Sequence, residues 1–148
     1  MPDSLNEQVL RQLRAYAEEH PDLEIPPKVF PDMEAEILAY QEGESLRIRF
    51  PVKERYHNPM GMMQGGMIVA AMDNTMGPLS FLVAPPSVTV QLNTTYLRPI
   101  TAEEAYIEVE ARVVEQAGRQ LLLTADVYNT AGRRMAMGQA TCTILKRR

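Results

Sequence analysis

The stretch that most narrows what this chain can become is Gly65–Asp73, GGMIVAAMD: a glycine pair, an unbroken apolar run from Met67 to Met72, then one carboxylate. The run is far shorter than the roughly 20 apolar residues of a bilayer-spanning helix. It predicts a buried helix whose N-terminus lies at the glycine pair. A helix start leaves backbone N–H groups unpaired and carries partial positive charge, which suits a carbonyl oxygen gaining negative charge. Counting on from Gly66 at helical spacing, Ala70, Asp73, Gly77 and Ser80 fall along one stripe, all small apart from the carboxylate. Small residues let another backbone or a ligand come close. Two readings of Asp73 stand at this point: a working carboxylate on that stripe, or an acid that caps a turn or faces water at a helix break near Gly77-Pro78.

The rest of the chain supplies strands. From residue 34 onward the period of the apolar pattern becomes two. Glu34–Tyr40 and Ser45–Val52 flank Glu42-Gly43, a hairpin signal, and Leu46, Ile48, Phe50 and Val52 alternate with Arg47 and Arg49. Beyond the helix, which should end before Pro85-Pro86 and be kinked or shifted in its last turn by Pro78, four further strands are expected. They are Val88–Leu97, Ala105–Gln116, Gln120–Asn129 and Arg134–Leu145, with Gly118 and Ala131-Gly132 marking tight turns between antiparallel neighbours. Ahead of all this, Ser4 and Glu7 form a capping box, and Leu5, Val9, Leu13 and Ala17 recur every fourth residue in a short amphipathic helix ending before His20-Pro21. Its apolar stripe needs a cover, from the same domain or from a neighbouring subunit. Pro21–Pro31 reads as an extended connector whose Ile25, Val29 and Phe30 lie on the domain. The expected division is 1–31, N-terminal helix and Pro-rich connector, and 32–148, one α+β domain: a long twisted antiparallel sheet wrapped around one central helix.

Composition excludes several functions. The 148 residues fit one core, and a net charge of −4 argues against nucleic acid, which demands a basic face. The lone Cys142 cannot form an internal disulfide and reads as a small buried residue, and no Cys/His cluster has metal-ligand spacing. The N-terminus, MPDSLNEQVL, lacks the basic-then-apolar pattern of a secretion signal. The expected setting is cytoplasmic, with no membrane association.

Asn58-Pro59-Met60-Gly61-Met62-Met63-Gln64-Gly65-Gly66, followed by Asp73, resembles the signature of the PaaI-like hotdog-fold thioesterases. That signature reads N-P-x-G-x-x-H-G-G, with an acidic residue nine positions after the His, and Asp73 stands in that register. Val88–Pro99, VTVQLNTTYLRP, is similar to the strand that follows the helix in that family. The resemblance runs from about Glu34 to the C-terminus. It implies the hotdog fold, hydrolysis of an acyl-CoA thioester, no cofactor beyond the coenzyme A of the substrate, and sites lying between two joined protomers.

The resemblance also implies roles for particular residues. The Gly65 N–H polarises the thioester carbonyl and Gln64 assists in orienting it. Asp73 is either a general base toward water or a nucleophile forming a mixed anhydride. Asn58 positions water or the carbonyl, or else simply forms the turn before Pro59, and Thr89 matches a hydroxyl that orients the water. One departure is evident: Gln64 stands where the family carries His, and an amide cannot change charge near neutral pH. His57 is set aside as a replacement, because adjacent residues point apart in extended chain.

Spacing adds an independent constraint. Gly65 and Asp73 are eight residues apart, roughly 12 Å along a helix axis, whereas an oxyanion donor and an attacking group must each lie about 3–3.5 Å from one carbonyl. If both serve one reaction they come from different subunits, in a symmetric dimer or a tetramer of two dimers. Arg98, Arg119, Arg133, Arg134 and Lys146-Arg147-Arg148 are candidates for the coenzyme A phosphates, and the methionines Met60, Met62, Met63, Met67, Met72 and Met76 for core or acyl-pocket lining. Two other classes remain: a module that binds acyl-CoA without cleaving it, and a hotdog dehydratase or hydratase.

Overall fold

The computed structural model describes residues 4–146, so Arg147 and Arg148 lie outside the described residues. Helix α1 (Leu5–Glu19) begins at the expected capping box: the Glu7 N–H donates to Ser4 Oγ at 3.2 Å, and the Ser4 N–H to Glu7 Oε2 at 3.0 Å. Val9 and Leu13 are buried in the same apolar core as the rest of the chain, so the protomer itself covers the stripe. Tyr16 fastens the far end of the helix, its hydroxyl donating to the Ala84 carbonyl at 3.1 Å and its ring resting on Phe81. Burial, with Glu19 nearby, pushes the Tyr16 phenol up to about 12.

The connector is not extended throughout. Val29–Asp32 forms one helical turn, α2, with Phe30 buried beneath it. Pro31 is tolerated there because the first turn of a helix makes no use of its N–H groups. The first strand starts two residues later than its pattern suggested, since Glu34 turns the chain with φ at 53°.

The strands are β1 (Glu36–Gln41), β2 (Ser45–Pro51), β3 (Ser87–Tyr96), β4 (Tyr106–Ala117), β5 (Gln120–Tyr128) and β6 (Arg134–Ile144), and the central helix, α3, spans Gly65–Val83. All six strands pair antiparallel in the order β1-β2-β4-β5-β6-β3. The inward residues of β2, β4 and β5, among them Leu46, Ile48, Phe50, Ile107, Val109, Leu123 and Val127, are fully enclosed against Ala71, Met72 and Leu79 of α3. By length and mean hydropathy alone α3 would suffice to cross a bilayer; here the sheet curls around it instead. The opposite face of β2 and β4 carries an ion-pair ladder in which Arg47 reaches Glu108 and Glu110, each at 2.9 Å, and Arg49 reaches Glu108 at 3.1 Å.

Helix α3 continues through Pro78 to Val83. Side chains on either side of the proline bond back to carbonyls of the preceding turn, Asn74 Nδ2 to Ala70 O and Thr75 Oγ1 to Ala71 O at 2.8 Å, and Ser80 Oγ to Gly77 O at 2.6 Å. The helix stops where Ala84 goes extended ahead of Pro85. The two sheet edges differ. Along β1 lies α1, and Asn6 Oδ1 accepts the Ile37 N–H at 3.2 Å. Along β3 no further strand pairs among the described residues, and Val88, Val90 and Tyr96 stand exposed with Leu97 just beyond.

Candidate active site

The loop into α3 is a tight turn built by Asn58. Its Oδ1 accepts the Met60 N–H at 2.9 Å and the Met62 N–H at 3.1 Å, and its carbonyl accepts the Gly61 N–H at 3.0 Å. Pro59 supplies the fixed φ a turn wants at its second position, and Gly61 adopts φ 76°, where a side chain would be strained. The Asn58 oxygen is thus committed to shaping the loop. Its Nδ2 donates to nothing among the described residues and is the end left for other work.

The loop delivers the chain to Gln64, the residue that caps α3 in extended conformation. Its side chain makes no capping bond and is exposed. The Gly65 and Gly66 N–H groups that follow have no acceptor among the described residues, while the Met67 N–H already turns back to Gln64 O at 2.9 Å. The Tyr96 ring closes over Gly65 so tightly that a Cβ there would lie 2.8 Å from its hydroxyl. Asn58, Gly65, Tyr96 and Arg98 line one depression of about 340 Å³. Arg98 also donates to the Arg134 carbonyl at 2.6 Å.

Asp73 lies elsewhere, two helical turns on. It is exposed in the single chain rather than enclosed, and with Gly66 it marks the solvent side of α3; Ser80, expected on the same stripe, is buried instead. Protein crowding the carboxylate nevertheless lifts its pKa above the ordinary aspartate value, and a hydrogen bond with Thr89 opposes that rise. Thr89 sits at a bulge in the β3–β6 ladder, a feature that re-aims side chains. Its hydroxyl also lies 3.7 Å from Cys142 Sγ, and Cys142 itself is buried in the core.

Asp73 rims a second depression, of about 370 Å³, between α3 and the segment 23–30. The residues named from sequence therefore form two pairs. Asn58 joins Gly65 beside Gln64, Thr89 joins Asp73, and neither of these two depressions holds both pairs. His57 lines neither depression. Of the methionines, Met63, Met72 and Met76 are core, Met62 lines the first depression, and Met60 projects into solvent. Tyr96 is the contact that sequence reasoning missed, since nothing in its spacing along the strand separates it from any other strand aromatic.

A profile of the family described as "Thioesterase superfamily" matches residues 60–136. No curated protein sequence matches the chain. Among solved structures it is similar to the Escherichia coli PaaI protein of the phenylacetic acid degradation operon, with 15% identity, a TM-score of 0.79 and 97% of each chain covered. Zebra fish thioesterase superfamily member 2 shares 25% identity at a TM-score of 0.76, over 97% of this chain and all of that one. The Streptococcus mutans protein smu.793, solved bound to acetyl CoA, shares 17% at 0.72, over 86% of this chain and 96% of the other.

Proposed function

Since the chain belongs to the thioesterase superfamily and carries the hotdog fold of PaaI-like members, we propose that it hydrolyses a small or medium acyl- or aryl-CoA thioester at sites shared between two copies of itself. The observation that carries this reading is the separation of the two half-sites. Free backbone donors at the start of α3 and a carboxylate near the Thr89 hydroxyl two turns along it cannot reach one carbonyl in one protomer. A second protomer, its β3 edge laid against the first, brings the Gly65 end of one helix toward Asp73 of the other. The exposed valines along β3 support that pairing.

In this reading the thioester carbonyl points at the Gly65 N–H, where the helix dipole stabilises the oxyanion. Asp73, oriented by Thr89, draws a proton from water as it attacks the carbonyl carbon, or attacks that carbon itself to form a mixed anhydride that water then opens. The C–S bond breaks and coenzyme A leaves as the thiolate. Gln64 and Asn58 Nδ2 offer neutral amide donors, which orient a carbonyl but shuttle no proton. The chemistry uses water and the chain's own groups, with no cofactor, in the cytoplasmic setting where acyl-CoA is at hand. Arg98, in the depression with Gly65, suits the phosphates of the nucleotide.

A panel of acyl-CoA substrates with thiol detection tests this. Wild type releases thiol, and Asp73→Asn loses it by about a hundredfold or more. Tight binding with no thiol from wild type would instead indicate a binding module, and an enoyl product without thiol a dehydratase. A single turnover in heavy-oxygen water separates the two routes, because only a nucleophilic Asp73 acquires the label.

A further inference from the structure

The depression rimmed by Asp73 has walls that the reaction as described does not use. Its floor is Gly77, Pro78 and Phe81 of α3, and over it lean Leu23, Ile25 and Phe30 from the segment that joins α1 to β1. At about 370 Å³ it has more than twice the room of a cavity that takes up benzene, roughly 150 Å³. Its lining is apolar except for Asn74 and two carboxylates, Asp73 and Glu24, and includes no Lys, Arg or His. Gly77 adds a separate oddity. A Cβ built there meets no atom within 4 Å, and the residue sits inside a helix, where Gly is less favourable than Ala. The packing of the protomer gives no reason for a glycine, and the volume a side chain would fill there opens on this depression.

We propose that this cavity receives the acyl or aryl group of the substrate, so that the subunit lending Asp73 also gauges the group whose bond it breaks, and that it admits uncharged groups while turning away those ending in a carboxylate. The inference rests on the thioesterase reading above. An attacking group stands about 3–3.5 Å from the carbonyl carbon. The acyl atoms beyond that carbon then fall inside the cavity, and the sulfur points toward the partner's Gly65 depression. An acyl chain with a terminal carboxylate would meet Glu24 and Asp73 with no cation in the lining to offset them. The length limit is set by the segment 23–30 and by the bare surface at Gly77.

The test measures kcat/KM for acetyl-, hexanoyl-, benzoyl- and succinyl-CoA with wild type, Gly77→Ala and Gly77→Leu, each checked for folding by thermal denaturation. Wild type is expected to favour hexanoyl- over succinyl-CoA by at least about tenfold. Gly77→Leu should lower the hexanoyl-to-acetyl and benzoyl-to-acetyl ratios by about tenfold. Gly77→Ala, whose added methyl meets no atom, should lower them about two- to threefold, and it decides the matter if the leucine variant does not fold. Ratios unmoved in the folded variants, or succinyl-CoA taken as readily as hexanoyl-CoA, overturn the inference and leave the hydrolase intact. No thiol from any substrate with wild type removes the hydrolase reading, and this inference with it.

Discussion

Desolvation holds the Asp73 pKa above that of a free aspartate, so the folded chain grips this proton more tightly than the unfolded one. Between the ordinary value of 3.8 and the raised one, stability therefore falls as pH rises, and at neutral pH the charged Asp73 is a cost to the fold. Asp73→Asn removes that cost. Its Tm at pH 7 should equal or exceed that of wild type, the advantage shrinking as pH drops toward 3.8, which calorimetry at several pH values checks. Catalysis needs the charged form, so the acid limb of kcat/KM should lie above 3.8 and not at it. Gly65→Ala probes the other half-site. Its Cβ would press on the far end of the Tyr96 side chain, whose ring is half exposed and free to swing. Helix propensity returns up to about 1 kcal/mol, so Tm should change little. Thiol release should fall by about tenfold or more as the donors are crowded.

Among the elements, α3 and the sheet beneath it are packed closely enough to make a methyl matter. A Cβ at Gly138 on β6 would stand 2.9 Å from Met72 Sδ and 3.2 Å from the Asn93 carbonyl. Met72 is fully enclosed, so Gly138→Ala should destabilise by about 1–3 kcal/mol, seen as a Tm lower by several degrees. Strand bounds were legible from residues because one face of β2, β4 and β5 is buried, which writes a period of two into Leu46–Phe50, Ile107–Ala111 and Leu121–Val127. The helical turn at Val29–Asp32 and the 3-10 turn at Glu54–Tyr56 are too short for a period to repeat and left no such trace. In the candidate site the glycine pair and Asp73 could be picked out, because a motif preserves spacing along the chain. The Asn58 turn could be picked out too, since its bonds reach only two and four residues along the chain. The approach of Thr89 to Asp73 and the depression walled by residues 23–30 could not, because each joins parts of the chain that only folding brings together.

For the whole molecule the decisive region is the uncovered β3 edge. Val90, the most exposed of its apolar residues at 58%, lies where the register with β6 shifts. A charge there opposes strand addition. Val90→Lys should leave far-ultraviolet circular dichroism unchanged, run as a single chain in light scattering, and lose most thiol release although Asp73, Thr89 and Gly65 are intact. A full-activity monomer would remove the shared site.

The other edge of the sheet bears on what such association can become. A sheet with both borders open can recruit copies without end, each newcomer offering a fresh border to the next. Here α1 packs along the β1 border and the Asn6 side chain takes the Ile37 N–H, so growth along the sheet is expected to stop at a pair. By this account the N-terminal helix is a guard against fibres, and cutting it away should turn a closed assembly into one that lengthens with concentration.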